Sequence, residues 1–155
     1  MTIIVEPGDP RHPEATALLR QSHQLMQELF APEENHFLSI DALCGEDILF
    51  FVAREYDTTL GTGALALRHD ADGAYGEGKS MFTAPFARGR GAAGLILDRL
   101  ENEARTRDLP VIRLETGNLL EAAHRVYRAR GFTDCGPFGD YMAHPSSVFM
   151  EKRLS

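Results

Sequence analysis

An arginine- and glycine-rich segment, ARGRGAAG (residues 87–94), holds the residues best suited to chemistry in this sequence. It lies between an apolar run that ends at Thr83 and a long segment with helical apolar spacing. The first N–H groups of a helix have no partners within the helix, and the helix dipole is positive at that end. The segment therefore predicts an anion site for a phosphate-bearing ligand. Its predicted contacts are Arg88, Gly89, Arg90, Gly91, Ala92 and Ala93.

The same segment has other interpretations. Residues 89–94 spell G-x-G-x-x-G, the fingerprint of dinucleotide-binding proteins. In those proteins the first glycine directly follows the strand, whereas here residues 84–87 intervene, and little chain follows Glu115 to build a doubly wound sheet. A Walker A loop would need Gly-Lys-Ser/Thr, which is absent. A plain helix cap explains the glycines but not the two arginines.

Hydrophobic spacing and turn residues divide the chain into alternating strands and helices. The predicted strands cover residues 2–6, 48–57, 59–70, 79–83, 111–116 and 146–154. The predicted helices cover residues 13–30, part of 31–45, about 89–107, and 119–132. We expect a hairpin near residues 57–59 and a turn-rich connection over residues 70–78. This order predicts one mixed α/β domain over residues 1–155.

Composition narrows the class of protein. The net charge of −7 argues against a general nucleic-acid-binding protein, because such proteins need a basic surface. No apolar run approaches the length of a membrane span and no signal peptide is recognisable, so we expect a cytoplasmic protein without membrane contacts. Cys44 and Cys135 form no C-x-x-C pair and the six histidines lack ligand spacing, so we expect no metal site.

Two motifs in the sequence resemble those of the GCN5-related N-acetyltransferases, the GNAT family. GKSMFTAPFARGRGAAGLILDRLENEA (78–104) is similar to the family's strand, Arg-x-x-Gly-x-Gly/Ala loop and long helix. AAHRVYRARGF (122–132) is similar to the helix that carries a tyrosine and ends in Gly-Phe. The resemblance covers nearly the whole chain, and the tail is similar to a subgroup of small bacterial members with mostly unassigned substrates.

The resemblance implies a fold and a co-substrate. The fold is an acyl-CoA N-acyltransferase fold, a mixed central sheet with helices on both faces and two splayed parallel strands, here residues 79–83 and 111–116. Acetyl-CoA would lie where these strands part, with its pyrophosphate on residues 88–93. Its pantetheine arm would bond to the backbone of Met81, Phe82 and Thr83. Many members carry an asparagine where this chain has Leu120, and nearby Asn118 is the candidate substitute.

The resemblance also implies catalytic roles. Tyr127 matches the family's usual proton donor to the departing thiolate. Glu77 lies eleven residues before Arg88, the spacing at which several members carry a base, although Glu115 and a water relay are competitors. A glutamate flanked by Gly76 and Gly78 is equally compatible with a solvated surface carboxylate. His124, one turn before the tyrosine, is expected at the surface.

The predicted activity is acetyl transfer to a primary amine, small-molecule or peptide, by direct attack in a ternary complex. Acceptor contacts are expected from the EENHF and PFGDYMAHP segments, namely His36, Phe37, Phe138, Asp140 and Tyr141. The aromatic groups would suit a small organic amine, and Asp140 could pair with its ammonium. The alternative is a non-catalytic CoA-binding or sensing domain. Homodimers are common in the family, so a homodimer is an open expectation.

Overall fold

The computed structural model describes residues 2–154 as a seven-stranded mixed sheet flanked by helices. The strands are β1 (Ile4–Pro7), β2 (Ile48–Glu55), β3 (Thr58–Asp70), β4 (Gly73–Thr83), β5 (Val111–Gly117), β6 (Thr133–Asp134) and β7 (Ser147–Arg153). The helices are α1 (Pro13–Leu29), α2 (Ile40–Leu43), α3 (Ala92–Thr106) and α4 (Glu121–Ala129). Short 3₁₀ turns occupy Pro32–Glu34 and Pro85–Ala87. The predicted mixed α/β fold is confirmed.

Both faces of the sheet are covered, and neighbouring residues on β2 show how. Val52 points to the face on which Leu19 of α1 packs, whereas Ala53 belongs to the cluster formed by Leu65 of β3 and Ile96 of α3. Successive side chains of a strand point to opposite faces, so an unbroken apolar run signals a strand buried on both sides. The helices therefore lie on both faces, as expected.

Within residues 2–154 the strand order is β1-β2-β3-β4-β5-β7-β6, and only β4 and β5 run parallel. Their pairing is confined to Gly76 with Ile112 and Glu77 with Arg113. After these residues β4 stays with β3, and β5 stays with β7 along its full length. A register shift against β3 and a positive φ of 55° at Ser80 mark a bulge just after the strands part. The parting of β4 and β5 opens a gap in the middle of the sheet.

Two sequence-based boundaries are wrong. Residues 70–78 are not a connection, because the turn is limited to residues 71–72 and β4 begins at Gly73. Gly76 allows a close approach between strands, because a Cβ added there would lie 2.7 Å from the Cδ1 atom of Leu65 on β3. Helix α3 begins at Ala92 rather than near residue 89, since Gly89 (φ 79°) and Gly91 (φ 85°) have left-handed backbones that end helical geometry.

Candidate active site

A cavity occupies the gap between the parted strands, and we call it the gap cavity. Its walls come from β4, β5, α4 and the residue before it, the second half of α1, the segment that follows α1, and the residue before β7. Its lining residues are Ser22, Met26, Phe30, Glu34, Asn35, His36, Phe37, Gly78, Lys79, Ser80, Met81, Glu115, Thr116, Gly117, Leu120, Tyr127 and Ser146. The two motifs recognised in the sequence therefore meet at one place, the end of β4 and the inner face of α4.

Tyr127 is the residue of α4 that reaches the gap cavity, and its side chain is only 6% exposed. It packs beside Phe132, with ring centroids 5.9 Å apart. Burial raises the pKa of the Tyr127 phenol well above its ordinary value, and the nearby Glu115 carboxylate raises it further. The hydroxyl therefore keeps its proton at neutral pH, which is the state a proton donor needs.

Glu115 shares the gap cavity with Tyr127. It lies on β5, which contributes one wall of the gap. Burial raises the pKa of the Glu115 carboxyl above its ordinary value, although the charges of Lys79 and His36 oppose the shift. A raised pKa makes a carboxylate a better proton acceptor near neutral pH.

Glu77 is buried, not the solvated carboxylate that its glycine neighbours allowed. It accepts a hydrogen bond from the Tyr141 hydroxyl, with 2.5 Å between the two oxygens. The Nε atom of Arg68 and the Nζ atom of Lys79 each lie 3.5 Å from one of its oxygens. Glu77 lines a second cavity rather than the gap cavity, so the structure separates the two candidate bases.

The second cavity, which we call the side cavity, opens beside the gap cavity, and Glu34 and His36 line both. Its lining residues are Glu33, Glu34, His36, Arg68, His69, Asp70, Ala71, Tyr75, Glu77, Gly139, Asp140, Tyr141, Met142, Ala143 and His144. It lies on the sheet face that α1 and α2 also cover. The loop between β6 and β7 therefore reaches back over β4.

The structure brings four of the five predicted acceptor residues to these cavities. His36 lines both, Phe37 lines the gap cavity, and Asp140 and Tyr141 line the side cavity. Phe138 lines neither cavity. It is buried with Tyr75, Val111 and Phe149 in an aromatic cluster beneath Tyr141. The predicted acceptor contact of Phe138 is thus not supported, because the ring supports the loop from below.

The arginine- and glycine-rich loop leads directly into α3, and its two arginines differ in their contacts. Gly91 is the N-cap of α3 and no side chain caps the helix, so the first N–H groups of α3 have no partner within the helix. Arg88 is exposed and forms no ion pair with any residue from 2 to 154. Arg90 instead pairs with the Glu55 carboxylate. The methyl group of Ala92 points into the core, so only its backbone faces the loop.

Three further expectations concern the edge of β4 that faces the gap, where acetyl-CoA was expected, and the residues around the start of α4. Past Glu77, β4 has a strand partner on its β3 side only, which leaves the backbone of residues 81–83 open towards the gap. Leu120 lines the gap cavity, whereas Asn118 is exposed and is not part of the lining. His124 is half-buried rather than at the surface, and its Nε2 atom lies 2.9 Å from the carbonyl oxygen of Gly117.

Sequence reasoning missed Lys79, which lines the gap cavity and contacts both Tyr141 and Glu77. It also missed Arg68, which lies on β3 next to Glu77. A signal for Lys79 was present, since residues two apart on a strand share a face and Glu77 was already a candidate. Arg68 had no such signal, because its position opposite β4 depends on the β3–β4 register.

The sheet with its parted parallel strands, the uncapped helix after a glycine-rich loop and the buried tyrosine are the features expected of the GNAT fold. The family model of the "Acetyltransferase (GNAT) family" matches residues 16–132, and the chain belongs to this family. The sequence-based family assignment is confirmed. The dinucleotide interpretation of residues 89–94 is excluded, because only one pair of strands in this sheet is parallel.

Individual relatives support the same assignment. The chain is similar to "IAA acetyltransferase" of Azospirillum brasilense, with 42% identity over 137 residues that cover 88% of each chain. A crystal structure from Klebsiella pneumoniae, assigned to the acyl-CoA N-acyltransferases, superposes with a TM-score of 0.79 and 28% identity over 99% of this chain and 98% of that one. The structure of YncA from Salmonella typhimurium with its cofactor acetyl-CoA gives a TM-score of 0.72 at 18% identity, over 99% of this chain and 94% of that one.

Two observations concern ligands and membranes. Within residues 2–154, no three His, Cys, Asp or Glu side chains are grouped closely enough to hold a metal ion. In the same range, no helix combines the length and the apolar character needed to cross a bilayer.

Proposed function

We propose that this protein transfers an acetyl group from acetyl-CoA to a primary amine by direct attack within a ternary complex. The observation that carries the proposal is the gap cavity, in which Met81, Glu115 and Tyr127 meet between the parted strands. This cavity is open to a ligand along β4, and it brings together the buried phenol of Tyr127 and the half-buried carboxylate of Glu115, which would donate and accept the protons.

The chain offers a suitable binding edge for the co-substrate. The unpartnered N–H groups at the start of α3 and the free guanidinium of Arg88 would hold the pyrophosphate. The backbone of Met81, Phe82 and Thr83 would bond to the pantetheine arm, because β5 has already left this part of β4. The presence of acetyl-CoA in YncA of Salmonella typhimurium supports the same ligand here.

The proposed reaction needs two proton transfers. The neutral amine nitrogen attacks the thioester carbonyl carbon and forms a C–N bond, and its proton passes to a base. A backbone N–H near Met81 or Phe82 stabilises the oxyanion that develops on the carbonyl. The C–S bond then breaks, and the departing CoA sulfur takes a proton from Tyr127. The products are an N-acetyl amide and CoA with a free thiol.

For the base, the geometry favours Glu115 over Glu77. Glu115 lines the same cavity as Tyr127, and its raised pKa suits proton uptake. Glu77 lies in the side cavity with one oxygen bound by Tyr141 and two cations close by. These contacts hold the Glu77 carboxylate in the side cavity, away from the gap cavity that Tyr127 lines. The role of Glu77 as a base stays a prediction that the substitutions described below test against Glu115.

The acceptor would enter from the side cavity, where His36 and Tyr141 meet edge to face with ring centroids 5.2 Å apart. The exposed carboxylate of Asp140 lies in the same cavity and could hold an ammonium group. A screening panel should contain amines of different charge and size: spermidine, L-lysine, tryptamine, kanamycin and a lysine-containing peptide. IAA (indole-3-acetic acid) has no primary amine and is tested beside the panel as a different class of compound, because a relative is named after it.

The deciding experiment compares Tyr127→Phe with wild type for acetyl-CoA turnover and for acetyl-CoA binding. We expect turnover to fall at least about 100-fold while binding changes little, because only the proton donor is removed. Tyr56→Phe is the matched control, since the Tyr56 side chain is 74% exposed and lies outside both cavities.

A second candidate function is supported by one observation. Leu120 lines the gap cavity where many members of the family have an asparagine. If wild type binds acetyl-CoA tightly but acetylates nothing in the panel, the protein is a CoA-binding sensor and not an enzyme. Equal turnover by Tyr127→Phe and wild type would show that Tyr127 is not the proton donor of the proposed reaction.

A further inference from the structure

Lys79 lies at the wall between the gap cavity and the side cavity, and its side chain is 9% exposed. Its Nζ atom donates to the carbonyl oxygen of His36 at 2.8 Å and to the hydroxyl of Tyr141 at 3.0 Å. An oxygen of Glu77 lies 3.5 Å from the same nitrogen. Two of the three N–H donors of the ammonium group are therefore used in hydrogen bonds, and Glu77 adds an ion pair.

The partners of Lys79 belong to segments with little regular structure of their own. His36 lies in residues 32–37, which leave α1 through a short 3₁₀ turn. Tyr141 lies in residues 138–144, between β6 and β7. Both segments line the cavities from which an acceptor would approach β4. Lys79, on the central strand β4, therefore connects residues 32–37 and residues 138–144 to the sheet.

The charges around Lys79 explain why it holds its position. Glu77 is buried between Lys79 on its own strand and Arg68 on β3, and Arg68 also bonds to Asp47 at 2.8 Å. A buried carboxylate or ammonium is costly unless it is paired and hydrogen-bonded. Lys79 cannot move towards a ligand without losing its contacts with Glu77, with the Tyr141 hydroxyl and with the His36 carbonyl.

We propose that Lys79 is a positioning residue for the acceptor. It fixes residues 32–37 and 138–144 relative to β4, and it acts through His36 and Tyr141 rather than by touching the reacting atoms. The proposed CoA-binding loop at 88–93 lines neither cavity, and the contacts of Lys79 do not involve it. The kinetic part of this inference rests on the proposed acetyltransferase function, whereas the structural part does not.

The structural part is tested by hydrogen–deuterium exchange on Lys79→Met. We expect amides in residues 32–37 and 138–144 to exchange about tenfold faster, with residues 88–93 unchanged, because local opening becomes easier where the tie is lost. Lys152→Met is the matched control, since Lys152 is the only other lysine and pairs with Glu101 away from both cavities. Lys79→Arg should restore protection in both segments.

Tyr141→Phe tests the Lys79–Tyr141 contact separately from the Lys79–His36 contact. It also provides a test if Lys79→Met fails to fold. It removes only the hydroxyl, so we expect faster exchange in residues 138–144 and wild-type exchange in residues 32–37. Exchange that stays within twofold of wild type in both segments for Lys79→Met would overturn the proposal. Faster exchange spread evenly over the chain would also overturn it, because that result describes a general loss of stability.

The kinetic part uses the amine of the panel above that wild type acetylates fastest. For Lys79→Met we expect the acceptor KM to rise about tenfold while the KM for acetyl-CoA stays within twofold. An equal rise in both constants contradicts acceptor positioning. If no amine in the panel is acetylated, the proposed function fails, and the exchange experiment still decides whether Lys79 ties the two segments.

Discussion

The guanidinium of Arg90 pairs with the carboxylate of Glu55, whose side chain is 11% exposed at the end of β2. The pair connects the glycine-rich loop to the β2–β3 hairpin. Arg88, two residues earlier, forms no ion pair with any described residue. The two arginines of the loop therefore differ: Arg90 is paired within the protein, whereas Arg88 is available to bind an anion.

This difference predicts unequal effects on CoA binding. We expect Arg88→Ala to weaken CoA binding about tenfold and Arg90→Ala to weaken it less, because a charge-assisted contact to phosphate is lost only in the first case. Isothermal titration with CoA at two salt concentrations measures both effects. The Arg88 variant should also show the weaker salt dependence.

Arg20→Ala is the matched control for this comparison, since Arg20 is exposed on α1 and lines neither cavity. Glu55→Gln adds a second check. It frees Arg90 without removing a cation from the loop, so CoA binding should be retained or strengthened. A larger loss for Arg90→Ala than for Arg88→Ala would reverse the assignment.

The choice between the two candidate bases is tested by pH–rate profiles. We expect Glu115→Gln to lower kcat by about 100-fold or more and to remove the ascending limb, because the proton acceptor is lost. Because burial raises the pKa of Glu115, the wild-type limb should lie above the pH range of an ordinary carboxylate. The measurement is initial rate against pH with acetyl-CoA saturating.

Glu77→Gln serves as the comparison in the same assay. It should keep the ascending limb and act mainly on the acceptor KM, because Glu77 supports Tyr141 and Lys79 in the side cavity. If the limb disappears in Glu77→Gln and persists in Glu115→Gln, Glu77 is the base and the original sequence-based choice is correct.

Much of the fold followed from periodicity and from two motifs. The apolar spacing of residues 13–30 predicted α1 to within one residue, and Tyr127 was correctly expected on the helix after β5. These features are local, so one sequence is enough to reveal them. The strand Gly73–Thr83 was only half recognised, because its glycines resemble a turn until the close contact with Leu65 on β3 is known.

The site was predictable only where a motif marks it. Sequence reasoning selected Glu77 by its spacing to the arginine loop, but its burial depends on Tyr141, Arg68 and Lys79, which come from other elements. Phe138 looked like an acceptor contact because it lies in an aromatic loop, yet it packs into the core. The direction of a loop side chain is set by tertiary packing, which local spacing does not encode.

The left-handed backbone at Gly91 predicts a specific stability loss. A Cβ added there would meet nothing within 4 Å, so Gly91→Ala introduces no clash and reports on the φ of 85° alone. We expect a loss of about 1–2 kcal/mol in the free energy of unfolding, measured by urea denaturation. An unchanged denaturation midpoint would mean that this backbone is not left-handed in solution.

Glu115 also predicts how stability depends on pH. Burial raises the pKa of its carboxyl in the folded protein above the value in the unfolded chain, so the folded protein binds this proton more tightly. The stabilising contribution is present below the unfolded pKa and is lost as pH rises through the folded pKa. Glu115→Gln removes this loss, so the variant should gain stability relative to wild type as pH rises from about 4 towards neutral. Thermal denaturation across that range measures the difference.

Glu103→Gln is a control of opposite sign. The hydrogen bond from Arg107, at 2.6 Å, holds the pKa of Glu103 below its ordinary value in the folded protein. Its contribution is therefore present above the unfolded pKa and lost as pH falls through the folded pKa. The Glu103 variant should be less stable than wild type near neutral pH, and the difference should shrink in acid. If the two variants instead show the same pH trend relative to wild type, Glu115 does not have the raised pKa on which its proposed role as a base depends.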